Sequence, residues 1–148
     1  MGEAVGLLLL RSRFVGSLLG TAIGDSLGAA SWAPASLRGR ELATNYTDDT
    51  HMTIGVAESL IACRGLDKAH MLHTLATNWA REPWRGYGPG PPRIFSAYLR
   101  GLDAQLVASS LYPGGSFGNG AAMRIAPLAC FYYDVGAEEL RRLAYEAS

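Results

Sequence analysis

The sequence predicts an all-α fold, a compact multi-helix bundle with glycine-rich loops. Three observations predict it. Apolar residues recur at steps of three and four, no segment alternates or gathers β-branched residues between turns, and clusters of glycine and proline separate the apolar stretches. Some six helices are expected, several of them short. The 148 residues carry 13 basic and 13 acidic groups and are 49% apolar, which suits one domain with enough length to bury a core. Zero net charge and the lack of any Lys and Arg run remove a general attraction to nucleic acid or an anionic membrane. Cys63 and Cys130 lie far apart in apolar segments without zinc or redox spacing, so buried thiols in a reducing cytoplasm are expected. The apolar run from Gly6 to Leu10 is too short, and flanked wrongly, for a signal peptide.

The first helix reads from Phe14. Phe14, Leu18, Ala22 and Val15, Leu19, Ile23 form two rows at spacing four, and Gly16, Gly20, Gly24 and Gly28 form a third. The run from Phe14 to Trp32 has the apolarity of a membrane span, but Asp25 and the four glycines interrupt it and argue for a buried helix. A glycine costs roughly 1 kcal/mol against alanine inside a helix, so a compensating close approach is expected, as tight helix packing at Gly16 and Gly20. Gly24 to Gly28 stays open between packing and a ligand, with Asp25 expected to be a paired structural carboxylate. Ser31 to Asn45, with Pro34 and Gly39, reads as a loop carrying Arg38, Arg40 and Glu41.

That loop delivers the chain to Tyr46-Thr47-Asp48-Asp49-Thr50. Beyond it Met52, Val56, Leu60 and Cys63 share one helical face, so a helix starts near Thr47. Two readings of the acids stand. They cap the first turn and complement the helix dipole, or they converge as a hard-oxygen set suited to magnesium or manganese where the backbone is still entering the helix. His51 lies one turn beyond Thr47, within reach of such an ion, although a plain helix residue explains it equally.

Gly65 ends that helix and Asp67 caps the next, whose buried face is Met71, Leu72, Leu75 and Trp79, with His70 and His73 on the solvated side. Glu82 to Pro92 holds Arg85-Gly86-Tyr87-Gly88 and Pro89-Gly90-Pro91-Pro92 ahead of a helix with Ile94, Phe95, Tyr98 and Leu99. Its glycines and prolines suit ordinary turns, and also a phosphate site to which Arg85 adds charge. A second glycine-rich segment, Pro113 to Gly120, runs into an apolar helix from Ala121 to Ala126. Its glycines let backbone approach a ligand, the helix start favours an anion, and Phe117 could stack on a base. No Lys-Ser or Lys-Thr follows, so it is not a Walker loop. Ala137 to Ser148 forms a last helix with Leu140, Leu143, Ala144 and Ala147 on one face, ending without a stop residue. It either frays at a terminus or belongs to a larger fold.

Taken together, Gly24-Asp25-Ser26-Leu27-Gly28, Tyr46-Thr47-Asp48-Asp49-Thr50, Arg85-Gly86-Tyr87-Gly88 and Gly115-Ser116-Phe117-Gly118-Asn119-Gly120-Ala121-Ala122-Met123-Arg124 occur in the order seen in ADP-ribosylglycohydrolases. From about residue 12 to residue 148 the chain resembles the N-terminal half of that family, which includes the dinitrogenase reductase-activating glycohydrolases. The resemblance implies an all-helical fold with two magnesium or manganese ions and hydrolysis of ADP-ribosyl linkages to a protein side chain or related conjugate. It implies Thr47, Asp48 and Asp49 as metal ligands. It also implies that Arg85, Gly86, Tyr87, Gly88 and Gly90, with Gly115, Ser116, Phe117, Gly118, Asn119 and Gly120, hold the diphosphate and riboses of ADP-ribose. Two departures are visible. Trp32 stands where the family carries a Glu near the scissile bond, which leaves no catalytic residue assigned, and the family's second metal motif, Asp-x-Asp-Thr, is absent. The expectation is therefore an incomplete hydrolase, or a half completed by a second chain. A non-catalytic ADP-ribose-binding module and a structural relative, as in the family's crystallin branch, are the alternatives.

Overall fold

The computed structural model describes residues 2–31 and 45–148, with side chains in the first segment from Val5 to Ala30. Trp32, Arg38, Arg40 and Glu41 lie outside the described residues. Seven helices and no strand occur among them: α1 (Gly2–Ser31), α2 (Asp48–Cys63), α3 (Lys68–Arg81), α4 (Gly90–Leu99), α5 (Ala104–Leu111), α6 (Ala126–Phe131) and α7 (Ala137–Ala147). The all-α expectation holds.

The core gathers around α2. Met52, Val56 and Leu60 meet Met71, Leu75 and Ala76 of α3, Phe95 of α4, Leu128 of α6 and Leu143 of α7. Each such aliphatic or aromatic side chain contributes about 1.5–3 kcal/mol on burial, which makes α2 the organising element. The caps are local. Asp67 accepts from the His70 amide (2.9 Å) at the start of α3, as its position in the sequence predicts. At the end of α2 the left-handed residue is Arg64 (φ 53°) rather than Gly65, whose amide closes back on Leu60 O at 3.1 Å. α5 is an additional helix, started by Asp103, which accepts from the Gln105 (2.8 Å) and Leu106 (3.2 Å) amides. α5 buries no side chain and packs chiefly on α4.

The largest departure concerns α1. It is a single 30-residue helix beginning at Gly2, not at Phe14, and includes the apolar run around Leu8. Among the described residues α1 packs against α2 and α6, with Phe14 edge-on to Tyr133 (5.4 Å between ring centres) and Ser26 buried. Val15, Leu19, Ile23 and Leu27 are exposed on another face, so the expected fully buried helix is not observed. Nor does tight packing explain Gly16 and Gly20, since a Cβ at either would meet nothing within 4 Å. Close helix approach occurs instead at Gly55, where a Cβ would stand 2.9 Å from Leu75 Cδ2 across the α2–α3 contact. The stretch Val5–Ala30 is long and apolar enough to cross a membrane. Its Asp25, however, is engaged by the entrance of α2. Both cysteines are free, and Cys63 is exposed rather than buried because it ends α2 beyond the core face.

Candidate functional site

A cleft of about 490 Å³ opens between α1 and the start of α2. Gly20, Thr21, Gly24, Asp25, Gly28 and Ala29 form its α1 wall, Thr47, Asp48 and Asp49 its acidic end, and Gly86 and Met123 its margins. Gly20 and Gly24 therefore face a cavity, and that is why a Cβ at either touches nothing, whereas Gly16 does not line it.

The acidic end is built from chain-distant parts. Asp25 Oδ2 accepts from the Thr47 amide (2.8 Å), the Thr50 amide (3.1 Å) and the Thr50 hydroxyl (2.6 Å), while Oδ1 accepts from the Thr47 hydroxyl (2.6 Å). Burial works against the ionised form of Asp25, but these four bonds outweigh it and hold the carboxyl below its ordinary range. Asp48 is the opposite case. Burial first, then the Asp49 charge, pushes its carboxyl up to about 6. Asp49 is also raised, by burial and by the Asp25 charge, despite a bond from Asn119 Nδ2 to its Oδ1 at 3.1 Å. None of the ion pairs among the described residues includes Asp48 or Asp49. Among the described residues, the cleft thus concentrates negative charge with no ion pair to Asp48 or Asp49.

The glycine-rich loops reach this end unequally. Arg85 stacks over the Tyr46 ring (3.8 Å), donates to Tyr46 O (3.4 Å) and pairs with Glu82, which fastens the Arg85–Gly86 turn beside the acids. Gly86 takes a left-handed φ of 81°, where a side chain would be strained, with Thr47 the nearest contact. Tyr87 turns inward instead: its hydroxyl meets His51 Nδ1 at 2.9 Å and its ring meets Phe95 edge-on. His51 is therefore a buried partner of Tyr87, with its pKa lowered by burial, and is not directed to the acids by any contact. Gly88 does not line the cleft, and Gly90 is buried at the first turn of α4 against Tyr112.

In the second loop Asn119 alone touches the acids, through Asp49. Gly115 (φ 104°) and the Ser116 hydroxyl, which accepts from the Gly118 amide at 3.1 Å, shape the turn, and Phe117 is fully exposed. Neither these residues nor Gly120 line the cleft. The expected helix from Ala121 is not there: residues 119–124 are turns and α6 begins at Ala126, so no helix N-terminus points from this loop at an anion. Pro127 suits the first turn of a helix, which places the start there. Tertiary contacts use the turns instead, with Met123 O accepting from Thr53 Oγ1 (3.1 Å) and Arg124 donating to the last carbonyls of α7. His73 is exposed as expected, whereas His70 is half-buried with Nδ1 2.8 Å from the Ser59 hydroxyl.

Among the described residues no group of three or more His, Cys, Asp or Glu forms a complete metal site. Thr47, Asp48 and Asp49 bring three oxygen-bearing side chains together, and burial and neighbouring carboxylates raise the proton affinity of both acids. Asp25 is the residue that sequence reasoning left out of the site. Its signal was a carboxylate inside an apolar helix, but its partners lie 22 and 25 residues away.

The family model described as ADP-ribosylglycohydrolase matches residues 8–148. The chain is 34% identical over 149 residues to ADP-ribosylhydrolase ARH3 of Mus musculus and of Bos taurus, and 33% identical to that of Homo sapiens. Each match covers 84% of this chain and 40% of the relative, so the chain spans well under half the length of these relatives. The matched span includes the cleft and all four glycine and acidic motifs, and the chain belongs to the ADP-ribosylglycohydrolase family.

Proposed function

We propose that this chain contributes one face of a metal-dependent site for hydrolysing ADP-ribosyl linkages, with ADP-ribose or an ADP-ribosylated protein as its partner. The observation that carries the reading is the pair Asp48 and Asp49, crowded together with Asp25 at the end of a glycine-walled cleft and in no ion pair among the described residues. Thr47, Asp48 and Asp49 would hold magnesium or manganese. When bound, such an ion orients ribose hydroxyls and activates water for attack at the anomeric carbon. The chain's own residues shape the ligand side: the α1 wall admits a flat polar ligand along Gly20 and Gly24, and Arg85 keeps the Gly86 turn against Thr47. Asn119 ties the second loop to Asp49, so a ligand lying on that loop would border the ion.

Two acids and one hydroxyl leave a six-coordinate ion with open positions. The remaining ligands would come from further protein or from water, and a second chain is one source. A binding role without catalysis is the second reading, favoured by Trp32 in place of the family's Glu. Manganese titration followed by electron paramagnetic resonance tests the proposal. The wild type should show a weak site that Asp49→Ala removes, and equal titrations for the two proteins would refute it.

A further inference from the structure

We propose that Asp25 is a positioning residue: from α1 it supplies the N-terminal cap of α2 and thereby holds Thr47, Asp48 and Asp49 at the cleft. The N-cap residue of α2 is Thr47, in extended backbone (φ −104°, ψ −162°), yet its side chain makes no cap hydrogen bond. An N-cap Ser, Thr or Asp ordinarily accepts from the second or third amide of its own helix. Here the third amide, Thr50 N, donates to Asp25 Oδ2 instead, and the Thr50 hydroxyl donates to the same oxygen. The Thr47 hydroxyl donates to Asp25 Oδ1, so it is spent as a donor to another helix and not as a cap acceptor.

Three of the four bonds converge on Oδ2 and one reaches Oδ1, so the Asp25 carboxylate is tied to the entrance of α2 by donors from both Thr47 and Thr50. Its charge lies beside the positive end of the α2 dipole, where an anion is stabilised. Asp25, not Asp48 or Asp49, takes the Thr50 amide, and those two acids line the cavity, with the Thr47 hydroxyl 3.5 Å from Asp49 Oδ2. The Thr47 oxygen, with its proton directed at Asp25, presents lone pairs elsewhere. One carboxylate thus fixes both the backbone of the acidic turn and its distance from the glycine wall on the same helix.

The metal arm of the test rests on the proposed function; the exchange arm does not. Amide hydrogen exchange by nuclear magnetic resonance is measured on metal-free wild type and Asp25→Asn. The variant replaces one acceptor oxygen by a donor and removes the charge. Exchange at the Thr47 and Thr50 amides should accelerate at least about tenfold relative to Val56 and Leu60 in the middle of α2. Unchanged protection at Thr47 and Thr50 overturns the proposal. Should Asp25→Asn fail to fold, Thr50→Val removes one donor at nearly constant shape and Thr50→Ser keeps it. Manganese affinity should fall several-fold in Thr50→Val and recover in Thr50→Ser, a pattern that a merely structural contact would not give. Where wild type binds manganese, equal affinity in all three proteins overturns the positioning role. If wild type binds no manganese, the proposed function fails, and the amide exchange still decides the role of Asp25.

Discussion

Replacing Asp48 by Asn should stabilise the metal-free protein at alkaline pH and do nothing at acid pH. The Asp48 carboxyl is raised from 3.8 to about 6 in the folded protein, by burial first and by Asp49 second. A raised carboxyl pKa means that the folded state holds the proton more tightly than the unfolded chain. This contribution is fully present below pH 3.8 and is lost as pH rises through about 6. Two units correspond to an upper bound of about 3 kcal/mol, and solvent screening of a half-buried group roughly halves it. Asn also forfeits the favourable dipole interaction of an acid in the first helical turn, about 0.5 kcal/mol, which leaves a gain near 1 kcal/mol. For a chain of this size that is roughly 3 °C in melting temperature. Thermal melts of both proteins in EDTA at pH 3.5 and pH 8 would measure it. The difference should be absent at pH 3.5 and favour Asp48→Asn at pH 8, and saturating manganese at pH 8 should reverse the order by stabilising only wild type. A variant that is less stable at pH 8 in EDTA, or that differs equally at both pH values, would refute the argument that burial and the Asp49 charge penalise the ionised Asp48 carboxylate in the folded state.

Leu60→Ala removes a side chain only 1% exposed at the centre of the core and should cost about 2–5 kcal/mol in urea unfolding; a cost below 1 kcal/mol would mean that α2 does not organise the fold. If the second glycine loop recognises a diphosphate, ADP-ribose should bind more tightly than adenosine. Gly118→Val, whose Cβ crowds the Ser116 hydroxyl, should abolish that preference, and equal affinities for the two ligands in wild type would count against the assignment. The 148-residue chain assayed alone should not turn over ADP-ribosyl-serine or ADP-ribosyl-arginine at the rate of a full-length relative, because two acids and a hydroxyl leave an ion free to shift by the ångström that can cost ~100-fold. Comparable turnover, lost on Asp49→Ala, would show that residues 1–148 are self-sufficient.

What the sequence determined by itself is the local order of the molecule. Helices α2, α3, α4 and α7 follow from apolar spacing along one strip of chain. The Asp67 cap follows from an acid just ahead of a periodic run, since an N-cap bond closes within three residues. The Asp103 cap of α5 carried the same signal, although the eight-residue helix behind it offered too little periodicity to be read. The motifs placed Thr47, Asp48 and Asp49 at a helix entrance because a helix start is itself a local event. Only the tertiary structure decided what those residues touch. Asp25 reaches Thr47 across 22 residues and Asn119 reaches Asp49 across 70, and no spacing rule connects groups so far apart in the chain. The same holds for the glycines of α1. A row at spacing four predicts that something comes close, but whether it is a helix or an open cleft depends on how α1 lies against α2, and that is set by packing between elements rather than by the row itself.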